Sequence, residues 1–401
     1  MTFQELGLSA RFVSRLDALG LTTPTAIQTQ AIPHALAGRD ILGIAQTGTG
    51  KTAAFGIPLV VALSKAQERP APKSARGLIL APTRELAGQI AQNLQGLTDD
   101  LRIMLVVGGK SISAQAQKLS RGTDVLVATP GRLIDLMERG DILLDRTRFL
   151  VLDEADQMLD IGFVHALRRI ARMLGKERQT MMFSATMPKT MADLSRDYLD
   201  DPVRVEASPP GKVADKVAHS VHFVASEQKQ DLLIELLDGH RDDRALVFSR
   251  TKRGAERLMK SLDRAGFAAT SIHGNKSQGQ RDRAITAFRD GSVRVLVATD
   301  VAARGIDIPG VGHVYNYDLP NVPENYVHRI GRTARAGTSG RAIAFCAADE
   351  VSELKAIEKV LGMRVEIAGG RPWEAMTGSA KPRDRRQPRR RSGGRSVRLA
   401  A

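Results

Sequence analysis

A short loop between residues 45 and 52 carries side chains suited to phosphate chemistry. The run Ala45-Gln-Thr-Gly-Thr-Gly-Lys-Thr52 follows an apolar segment, Asp40 to Ile44, and precedes a helix-forming run. Glycines let backbone N–H groups close around a phosphate at a helix N-terminus, where the helix dipole favours anions. Lys51 is placed to reach the β and γ phosphates, and Thr52 to ligate Mg²⁺. The strict pattern has Gly in place of Ala45, but Gly-Lys-Thr after a strand favours a nucleotide site over an ordinary glycine-rich turn.

Carboxylates end a second apolar segment about a hundred residues further along the chain. In Val151-Leu-Asp-Glu-Ala-Asp156 they follow a predicted strand. Asp153 is suited to hold Mg²⁺ beside the phosphates, and Glu154 to orient and deprotonate an attacking water. An acidic cluster by itself is more often a solvated helix cap. The phosphate loop upstream favours the catalytic interpretation.

An arginine-rich segment in the second half of the chain supplies the opposite charge. His328-Arg-Ile-Gly-Arg-Thr-Ala-Arg335 places Arg332 and Arg335 three residues apart, so they share a face of one helical turn. Phosphoryl transfer needs positive charge at the γ phosphate in the transition state. Such clusters are more often solvated surface, but here a nucleotide site exists for them to face across an interdomain cleft.

These motifs adjoin short apolar runs that predict β-strands separated by helices. Alternating strands and helices indicate parallel sheets covered on both faces, so the predicted fold class is α/β. The predicted strands are Gly77–Ala81, Asp124–Ala128, Arg148–Leu152, Thr180–Ser184, Arg244–Phe248, Arg294–Ala298 and Arg341–Phe345.

One sequence repeat bears on how the domains are related. Val125-Leu-Val-Ala-Thr-Pro130 and Val295-Leu-Val-Ala-Thr-Asp300 match at five of six positions. The match indicates either chance similarity of Val- and Ala-rich strands or two related α/β domains. Related domains would present matching loops at the carboxyl ends of their strands, where open α/β sheets bind ligands.

The length of 401 residues predicts two domains rather than one. A turn-rich stretch, residues 206–217, is the predicted linker between domains spanning 1–205 and 218–368. The segment 369–401 is rich in Arg, Pro, Gly and Ser and is predicted to be disordered.

The net charge of +15 indicates a polyanionic partner, with nucleic acid favoured over an acidic membrane. Between Arg371 and Ala401 the chain has ten Lys or Arg and two Asp or Glu. The single cysteine, Cys346, cannot form a disulfide within the chain, which is typical of a reducing compartment. No signal pattern or membrane-spanning apolar run is present, so we expect a cytoplasmic protein.

Taken in their order along the chain, these motifs resemble those of the DEAD-box RNA helicases. The tetrad Asp-Glu-Ala-Asp stands at 153–156, and the resemblance covers roughly residues 1–365. It implies two tandem RecA-like domains, with ATP and Mg²⁺ as ligands and RNA as the partner. Thr333-Ala-Arg-Ala-Gly337 and the short basic tail are similar to the bacterial RhlE-like subgroup.

The resemblance also implies roles on the ATP side. Leu21-Thr-Thr-Pro-Thr-Ala-Ile-Gln28 matches the adenine-reading motif, in which Gln28 pairs with the adenine edge, and Phe3 fits its upstream aromatic. Asp307 is expected to contact the ribose. The residues expected to bind the nucleotide are Phe3, Gln28, Ala45, Gln46, Thr47, Gly48, Thr49, Gly50, Lys51, Thr52 and Asp307. Those expected to couple hydrolysis to strand separation are Asp156, Ser184, Thr186 and His328.

On the RNA side the resemblance implies contacts with the backbone and 2′-hydroxyls, with little base specificity. The expected RNA-binding residues are Pro82, Thr83, Arg84, Gly108, Gly109, Thr129, Pro130, Gly131, Arg132, Arg250, Thr251, Gln278, Arg281 and Thr299. The basic segment Lys381 to Arg398 is either a solubilising end or, as we favour, an electrostatic tether for RNA.

The expected function is ATP-dependent opening of short RNA duplexes, or remodelling of RNA–protein complexes, by closure of the two domains. The alternatives are a DNA helicase or translocase built on the same domains, and an RNA clamp or scaffold that hardly unwinds. Ribosome assembly, messenger decay and cold adaptation remain open as pathways, and a monomer is favoured.

Overall fold

The structure is a computed structural model that describes residues 1–46, 48–66, 68–207, 217–303, 310–333 and 340–373. Three predicted site residues, Thr47, Asp307 and Arg335, lie outside the described residues. The same holds for most of the predicted linker and for the tail from residue 374 onward.

The first half of the chain forms one seven-stranded parallel sheet within the described residues, with the strand order β3-β4-β2-β5-β6-β1-β7. Its strands are β1 (Ile41–Ile44), β2 (Ala75–Leu80), β3 (Ile103–Val106), β4 (Thr123–Ala128), β5 (Phe149–Leu152), β6 (Gln179–Ser184) and β7 (Val203–Glu206). Its helices are α1 (Ala10–Ala18), α2 (Ala26–Leu36), α3 (Lys51–Lys65), α4 (Arg84–Leu97), α5 (Ile112–Leu119), α6 (Pro130–Glu138), α7 (Ala155–Asp160), α8 (Val164–Met173) and α9 (Lys189–Tyr198).

The second half forms another seven-stranded parallel sheet, again counted over the described ranges, with the order β10-β11-β9-β12-β13-β8-β14. Its strands are β8 (Val217–Phe223), β9 (Arg244–Phe248), β10 (Ala269–Ile272), β11 (Val295–Ala298), β12 (Val311–Asn316), β13 (Gly340–Cys346) and β14 (Glu366–Gly369). Its helices are α10 (Lys229–Asp238), α11 (Lys252–Arg264), α12 (Gln278–Asp290), α13 (Asp300–Ala303), α14 (Glu324–Ile330) and α15 (Val351–Leu361).

The two sheets have the same topology, because adding seven to each strand number of the first order gives the second. The repeated sequences form β4 and β11, which occupy equivalent positions next to an edge strand. Each is followed by a threonine, Thr129 or Thr299, at the carboxyl end of its strand. The equivalence favours two related domains over chance similarity. It also places matching loops at matching sheet edges.

Both faces of each sheet are covered by helices, which explains the uninterrupted apolar strands. Along β2, Leu78 packs in one apolar cluster and Ile79 in the cluster on the opposite face. Leu246 and Val247 of β9 divide in the same way in the second domain. A strand buried on both faces has no solvated side, so every position is apolar. The predicted α/β class with parallel sheets is confirmed.

All seven predicted strands are present within two residues of their predicted ends, but the edge strands β3, β7, β10 and β14 were not predicted from the sequence. Edge strands are partly solvated, and β7, β10 and β14 accordingly contain polar residues that interrupt the apolar run by which the central strands were recognised. Strand β3, Ile-Met-Leu-Val, is apolar throughout and was missed in spite of that pattern. Two inner strands, β8 and β12, were also missed, and each contains histidine and other polar residues. Strand β7 ends at Glu206 and β8 begins at Val217, so the first and last residues of the predicted linker belong to strands. No helix within the described residues is long and apolar enough to cross a membrane.

Candidate active site

The phosphate loop joins β1 to α3 at the carboxyl edge of the first sheet. Gly48 and Gly50 have φ angles of 87° and 91°, in the left-handed region that only glycine adopts at little cost. Gly50 is the N-cap of α3, so Lys51 is the first residue of that helix. Thr49 Oγ1 donates to the Gln46 carbonyl at 2.8 Å, which closes the loop on itself. Left-handed glycines directly before a helix N-terminus are typical of loops that bind anions.

Lys51 and Asp153 form a buried ion pair at the base of this loop. Lys51 Nζ lies 3.9 Å from Asp153 Oδ1, and their side chains are 5% and 3% exposed. Within the described residues Lys51 Nζ has no hydrogen-bond partner, so its donors are available to a ligand. Burial raises the pKa of Asp153 to about 6, with the Lys51 charge opposing the rise and the Glu154 charge adding to it. A site that buries these charges so completely favours a charged ligand that pairs with them.

The chain turns sharply directly after β5, at Glu154. This residue has a φ of 51°, which is uncommon for a residue with a side chain, and it is the N-cap of the short helix α7. Its backbone N–H donates to Asp153 Oδ1 at 3.0 Å. Both carboxylates are 2% exposed and line the same cavity as the phosphate loop. Unusual backbone of this kind often marks a functional site, and here it places two successive carboxylates at one cavity.

Asp156 connects the acidic turn to the loop after β6. Its Oδ2 accepts from Thr186 Oγ1 at 3.0 Å, from Thr186 N at 2.9 Å and from Ala185 N at 3.1 Å. Ser184 Oγ donates instead to the Thr186 carbonyl at 2.6 Å. Ser184 also holds the phosphate loop through its own carbonyl, which accepts from Ala45 N at 2.9 Å. Of the two hydroxyl-bearing coupling residues in this loop, Thr186 donates to a carboxylate of the tetrad and Ser184 does not.

The second domain contributes Arg332 to the same cavity, which has a volume of about 520 Å³. Arg332 is 4% exposed, and the charges of Asp156 and Glu154 bear on the neighbouring His328. Burial lowers the pKa of His328, and those two carboxylates oppose the decrease. The polar residues that line the cavity are Gln28, Lys51, Thr52, Gln89, Gln92, Asn93, Asp153, Glu154 and Arg332. The two halves of the predicted site are thus adjacent in this structure.

Gln28 ties the adenine-reading segment to the phosphate loop. Its Oε1 accepts from Thr25 N at 2.9 Å as part of a capping box on α2, and its Nε2 donates to the Gly50 carbonyl at 3.1 Å. One N–H and one lone pair of the amide remain for a base. Phe3, by contrast, is 1% exposed within the apolar core and does not line the cavity. It belongs to the same apolar cluster as Leu16 of α1 and Ile27 of α2, and its contact with the nucleotide stays a prediction.

A second group of predicted residues meets where the two domains face each other, beside the loop after β2. Arg84 Nη1 donates to Gln278 Oε1 at 3.2 Å. Glu85 Oε1 accepts from Gln278 Nε2 and pairs with Arg281 Nη2, both at 3.1 Å. The side chains of Glu85 and Arg281 are 4% and 14% exposed. These four residues, which we call the interdomain bridge, join α4 of the first domain to α12 of the second.

The bridge depends on two glycines in the loop after β3. The Arg84 guanidinium lies against Gly108 and Gly109, where a Cβ at Gly109 would be 2.3 Å from Arg84 Nη1. Gly109 has a φ of 79°, so a side chain there would also be strained. These glycines therefore serve in this structure to seat an arginine, in addition to any contact with RNA.

The remaining residues predicted to bind RNA lie at strand-to-helix turns of both domains. Thr83 and Thr251 occupy equivalent N-caps and accept from Leu86 N at 3.3 Å and Gly254 N at 2.9 Å. Thr129 is the N-cap of α6, whose first residues are Pro130, Gly131 and Arg132. Pro82 and Thr299 are buried in the corresponding turns.

Two predicted RNA-binding arginines are held by protein groups in this structure. Arg132 Nη1 donates to the Lys110 carbonyl at 2.9 Å. Arg250 Nη2 donates to Glu350 Oε1 at 2.7 Å and to the Leu319 carbonyl at 3.2 Å. Glu350 is itself buried and pairs with Lys229. Arg250 therefore has a structural partner that the sequence motif does not reveal.

The comparisons with known proteins agree with this geometry. Residues 25–194 match the DEAD/DEAH box helicase family, and residues 228–337 match the helicase conserved C-terminal domain. The chain is 41% identical over 367 residues to the DEAD-box ATP-dependent RNA helicase CshA of Geobacillus kaustophilus, a match that covers 91% of this chain and 78% of that protein. This chain belongs to the DEAD-box family of ATP-dependent RNA helicases. The helicase of the same name from Bacillus subtilis is 40% identical over 368 residues, covering 91% and 74% of the two chains.

Solved structures show the same two-domain fold as this DEAD-box helicase. S. cerevisiae Dbp5 bound to RNA and ADP BeF3 has a TM-score of 0.81 and 32% identity, covering 92% of this chain and 95% of that one. Mss116p bound to ssRNA and AMP-PNP has a TM-score of 0.83 and 26% identity, covering 92% and 79%. The expectation of tandem RecA-like domains is therefore confirmed. The subgroup resemblance to RhlE stays a prediction.

Arg329 of this helicase was not predicted from the sequence, although it lies within the arginine motif. Its guanidinium donates to both Asp300 oxygens, at 2.5 and 2.7 Å, and to Asn316 Oδ1 at 3.0 Å. It lies over the Phe248 ring and is 2% exposed. A buried arginine with this many acceptors fixes α14 against the sheet, which sets the position of Arg332 three residues later.

The apolar end of the ATP cavity was also missed. Its wall comes from the α1–α2 segment and from α4, through Leu19, Leu21, Leu86 and Leu97. Gln92 and Asn93 follow Gln89 by three and four residues, which is about one helical turn, so the three side chains lie on the same face of α4. In the sequence, this spacing of amide side chains in the helix that follows Pro82 was the signal that could have predicted them.

Proposed function

We propose that this DEAD-box helicase hydrolyses ATP when its two domains close, and that closure opens short RNA duplexes locally. The observation that carries the proposal is the position of Arg332. It comes from the second domain, is 4% exposed, and lines one cavity together with Lys51 and Glu154 of the first. A site assembled from two domains is complete only when they meet, which links chemistry to closure.

The ligand set at the base of the cavity fits Mg²⁺. Asp153 offers a buried carboxylate and Thr52 a hydroxyl beside the phosphate loop, and oxygen donors of this kind are those that Mg²⁺ prefers. We assign these two residues as its protein ligands. Bound Mg²⁺ would neutralise charge on the β and γ phosphate oxygens.

The chain's own residues divide the remaining chemistry. Lys51, whose Nζ is buried without a hydrogen-bond partner among the described residues, binds the β and γ phosphates. Glu154, held at the turn after β5, orients the attacking water and accepts its proton. Arg332 supplies positive charge where negative charge develops in the transition state. Arg335 would add a second positive charge and lies outside the described residues.

RNA is proposed to lie along the carboxyl edges of the two sheets, where the strand-to-helix turns carry matched threonines. Thr83 and Thr251 are at equivalent N-caps, and Thr129 and Thr299 follow equivalent strands. Hydroxyls and helix N-termini bind phosphates without reading bases. The bound strand would then be selected by shape, and a regular duplex that cannot follow both domains would open.

The decisive experiment compares wild type with Glu154→Gln. We expect ATP hydrolysis by wild type to rise when single-stranded RNA is added, and to exceed the rise with DNA of the same sequence. Glu154→Gln should bind ATP and RNA with little change, because the amide is of the same size, yet lose at least ~100-fold in turnover, since general-base catalysis contributes that much.

Glu235→Gln, at an exposed position on α10, is the matched control and should keep wild-type turnover. Near-normal turnover of Glu154→Gln would remove its proposed role. Equal ATPase rates with and without RNA in wild type would contradict the coupling to closure. Duplex release with and without ATP separates a helicase from a clamp that only holds RNA.

We also propose domain bounds, a cellular location and partners for this helicase. We place the domains at 1–205 and 218–368 and the linker at 206–217. The disordered basic tail predicted at 369–401 starts too early, because Gly369 ends β14 and Trp373 Nε1 donates to the Cys346 carbonyl. The rest of that predicted tail, residues 374–401, lies outside the described residues. We propose a cytoplasmic location and a monomer, with ribosomal or RNA-decay complexes as candidate partners. The reducing environment suggested by the lone Cys346 supports the location.

A further inference from the structure

Three metal-binding side chains meet in the second domain, away from the ATP site. They are His240 in the loop between α10 and β9, Asp243 at the end of that loop, and His313 in β12. One ligand atom from each lies within 4.8 Å of the other two. The cluster adjoins the start of β9, at the amino edge of the sheet, whereas the ATP and RNA residues lie at the carboxyl edges.

We propose that His240, Asp243 and His313 form a binding site for a divalent transition metal of the zinc class. Two imidazoles and one carboxylate are the ligand set of many zinc sites that keep a fourth position for water. Imidazole nitrogen strongly favours such metals over Mg²⁺, so the site would be chemically distinct from the Mg²⁺ site at Asp153.

The distances around His313 fit this assignment. His313 Nε2 lies 3.0 Å from Asp243 Oδ2. In a tetrahedral site with metal–ligand bonds near 2.0 Å, two ligand atoms are separated by about 3.3 Å. The separation of these two atoms is therefore already close to that of two ligands on one metal. His313 is fixed by its strand, while Asp243 is exposed and can adjust.

Unsatisfied nitrogen atoms provide an independent observation. The Nδ1 atoms of His240 and His313 are buried without a hydrogen-bond partner among the described residues. The Nδ1 atom of His240 bears on the metal site, because Nε2 of that ring already contacts Tyr315, whereas His313 would bind through Nε2. Burial lowers the pKa of His240, with the facing His313 adding to the decrease. Buried polar atoms left unpaired are unusual and call for a ligand or a functional reason.

Metal binding requires one rearrangement. The two imidazole rings are stacked with centroids 3.5 Å apart and planes 5° from parallel, so their in-plane lone pairs cannot converge on one ion. His240 is the ring that can turn, because it lies half-buried in a loop that borders a cavity of about 690 Å³. Its Nε2 lies 2.7 Å from the Tyr315 hydroxyl, so Nδ1, which has no partner among the described residues, is the nitrogen that would turn toward the metal. Arg341 also lines this cavity and weakens the attraction for a cation, while Asp243 counters it.

The test uses the full chain without a polyhistidine tag. Co²⁺ is titrated in a buffer free of chelators, its visible absorption bands are recorded, and Zn²⁺ is added to displace it. We expect one Co²⁺ per chain with the spectrum of a four- or five-coordinate site, complete displacement by Zn²⁺, and no competition from excess Mg²⁺. His240→Gln and Asp243→Asn should each weaken binding at least ~10-fold, since loss even of a supporting group costs this much.

His222→Gln is the matched control, because His222 is half-buried in the same sheet and lies outside the cluster. It should leave the affinity unchanged. Since His240 and Asp243 lie in a loop, their variants should keep the wild-type melting temperature in the absence of metal. Affinity that is the same in wild type and His240→Gln, or the absence of a Co²⁺ spectrum in wild type, would overturn the proposal.

Discussion

At the scale of single residues, the active site contains buried charges of two kinds: a pair held within one domain, and an arginine that comes from the other. Lys51 and Asp153 are fixed close together in one domain, whereas Arg332 approaches the same cavity from the other. Removing Lys51 would change phosphate binding in any conformation. Removing Arg332 would matter only when the domains meet, which makes it the sharper probe of closure.

We expect Arg332→Ala to reduce the RNA-stimulated turnover by roughly 100-fold or more, because an arginine at the γ phosphate acts mainly in the transition state. The affinity for ATP, measured with a fluorescent analogue, should change much less. Arg264→Ala, at an exposed position near the end of α11, should behave as wild type. A loss confined to ATP affinity, with unchanged turnover, would show that Arg332 binds substrate only.

The coupling between the acidic turn and the loop after β6 rests on Thr186. Thr186→Val removes the 3.0 Å bond from Oγ1 to Asp156 but keeps the side-chain volume and both backbone bonds. We expect RNA-stimulated ATPase activity to be largely retained and duplex release to fall at least ~10-fold, since one hydrogen bond to a charged group is worth about 1.5–3 kcal/mol. Parallel losses in both activities would contradict a specific coupling role.

At the scale of elements, many of the predicted site residues lie at helix N-termini. Equivalent strands end in equivalent turns, and a threonine caps the following helix in both domains. The interdomain bridge then joins α4 to α12, with Glu85 accepting from both Gln278 and Arg281. Residues predicted to bind RNA are therefore held together by a carboxylate that was not predicted.

A double-mutant cycle on the bridge tests this arrangement. Glu85→Gln and Arg281→Gln should each raise the RNA concentration needed for half-maximal ATPase activity. The double variant should cost clearly less than the sum of the two, with a coupling free energy of roughly 1–3 kcal/mol, as expected for residues in direct contact. Strict additivity would show that the pair does not act across the cleft. Arg283→Gln on α12 provides the control, since its side chain is exposed.

At the scale of the whole molecule, the positive charge is concentrated beyond the second domain. Trp373 Nε1 donates to the Cys346 carbonyl at 2.9 Å and its ring packs on the core, so the folded part extends at least this far. A truncation designed to test the tail must therefore retain Trp373 and begin at residue 374. Deletion from residue 370 would also disturb the domain.

Removing residues 374–401 should weaken RNA binding and reduce its dependence on salt. Each cation that neutralises a phosphate of single-stranded RNA contributes about 0.7 to the slope of log affinity against log salt. The slope should therefore become shallower by several units, while ATPase turnover at saturating RNA should stay the same. A Gly/Ser tail of equal length separates charge from length. An unchanged slope would mean that the tail only solubilises the protein.

The sequence alone determined the chemistry that is local along the chain. Glycines at 48 and 50, the Gly-Lys-Thr ending and the acidic run after β5 each specify a backbone turn and its charges within a few residues. The doubly buried strands were likewise evident, because a continuous apolar run needs no partner to be recognised. These features were sufficient to indicate the fold class and the family.

Only the tertiary structure decided which side chains meet. Glu85 and Arg281 are 196 positions apart in sequence, and Arg250 and Glu350 are a hundred apart, yet each pair is in contact. It also turned Ser184 away from the tetrad, buried Phe3 in the core, and stacked His240 on His313. The physical reason is that burial and pairing of a polar group depend on how distant segments pack against each other. No local pattern of residues specifies that packing.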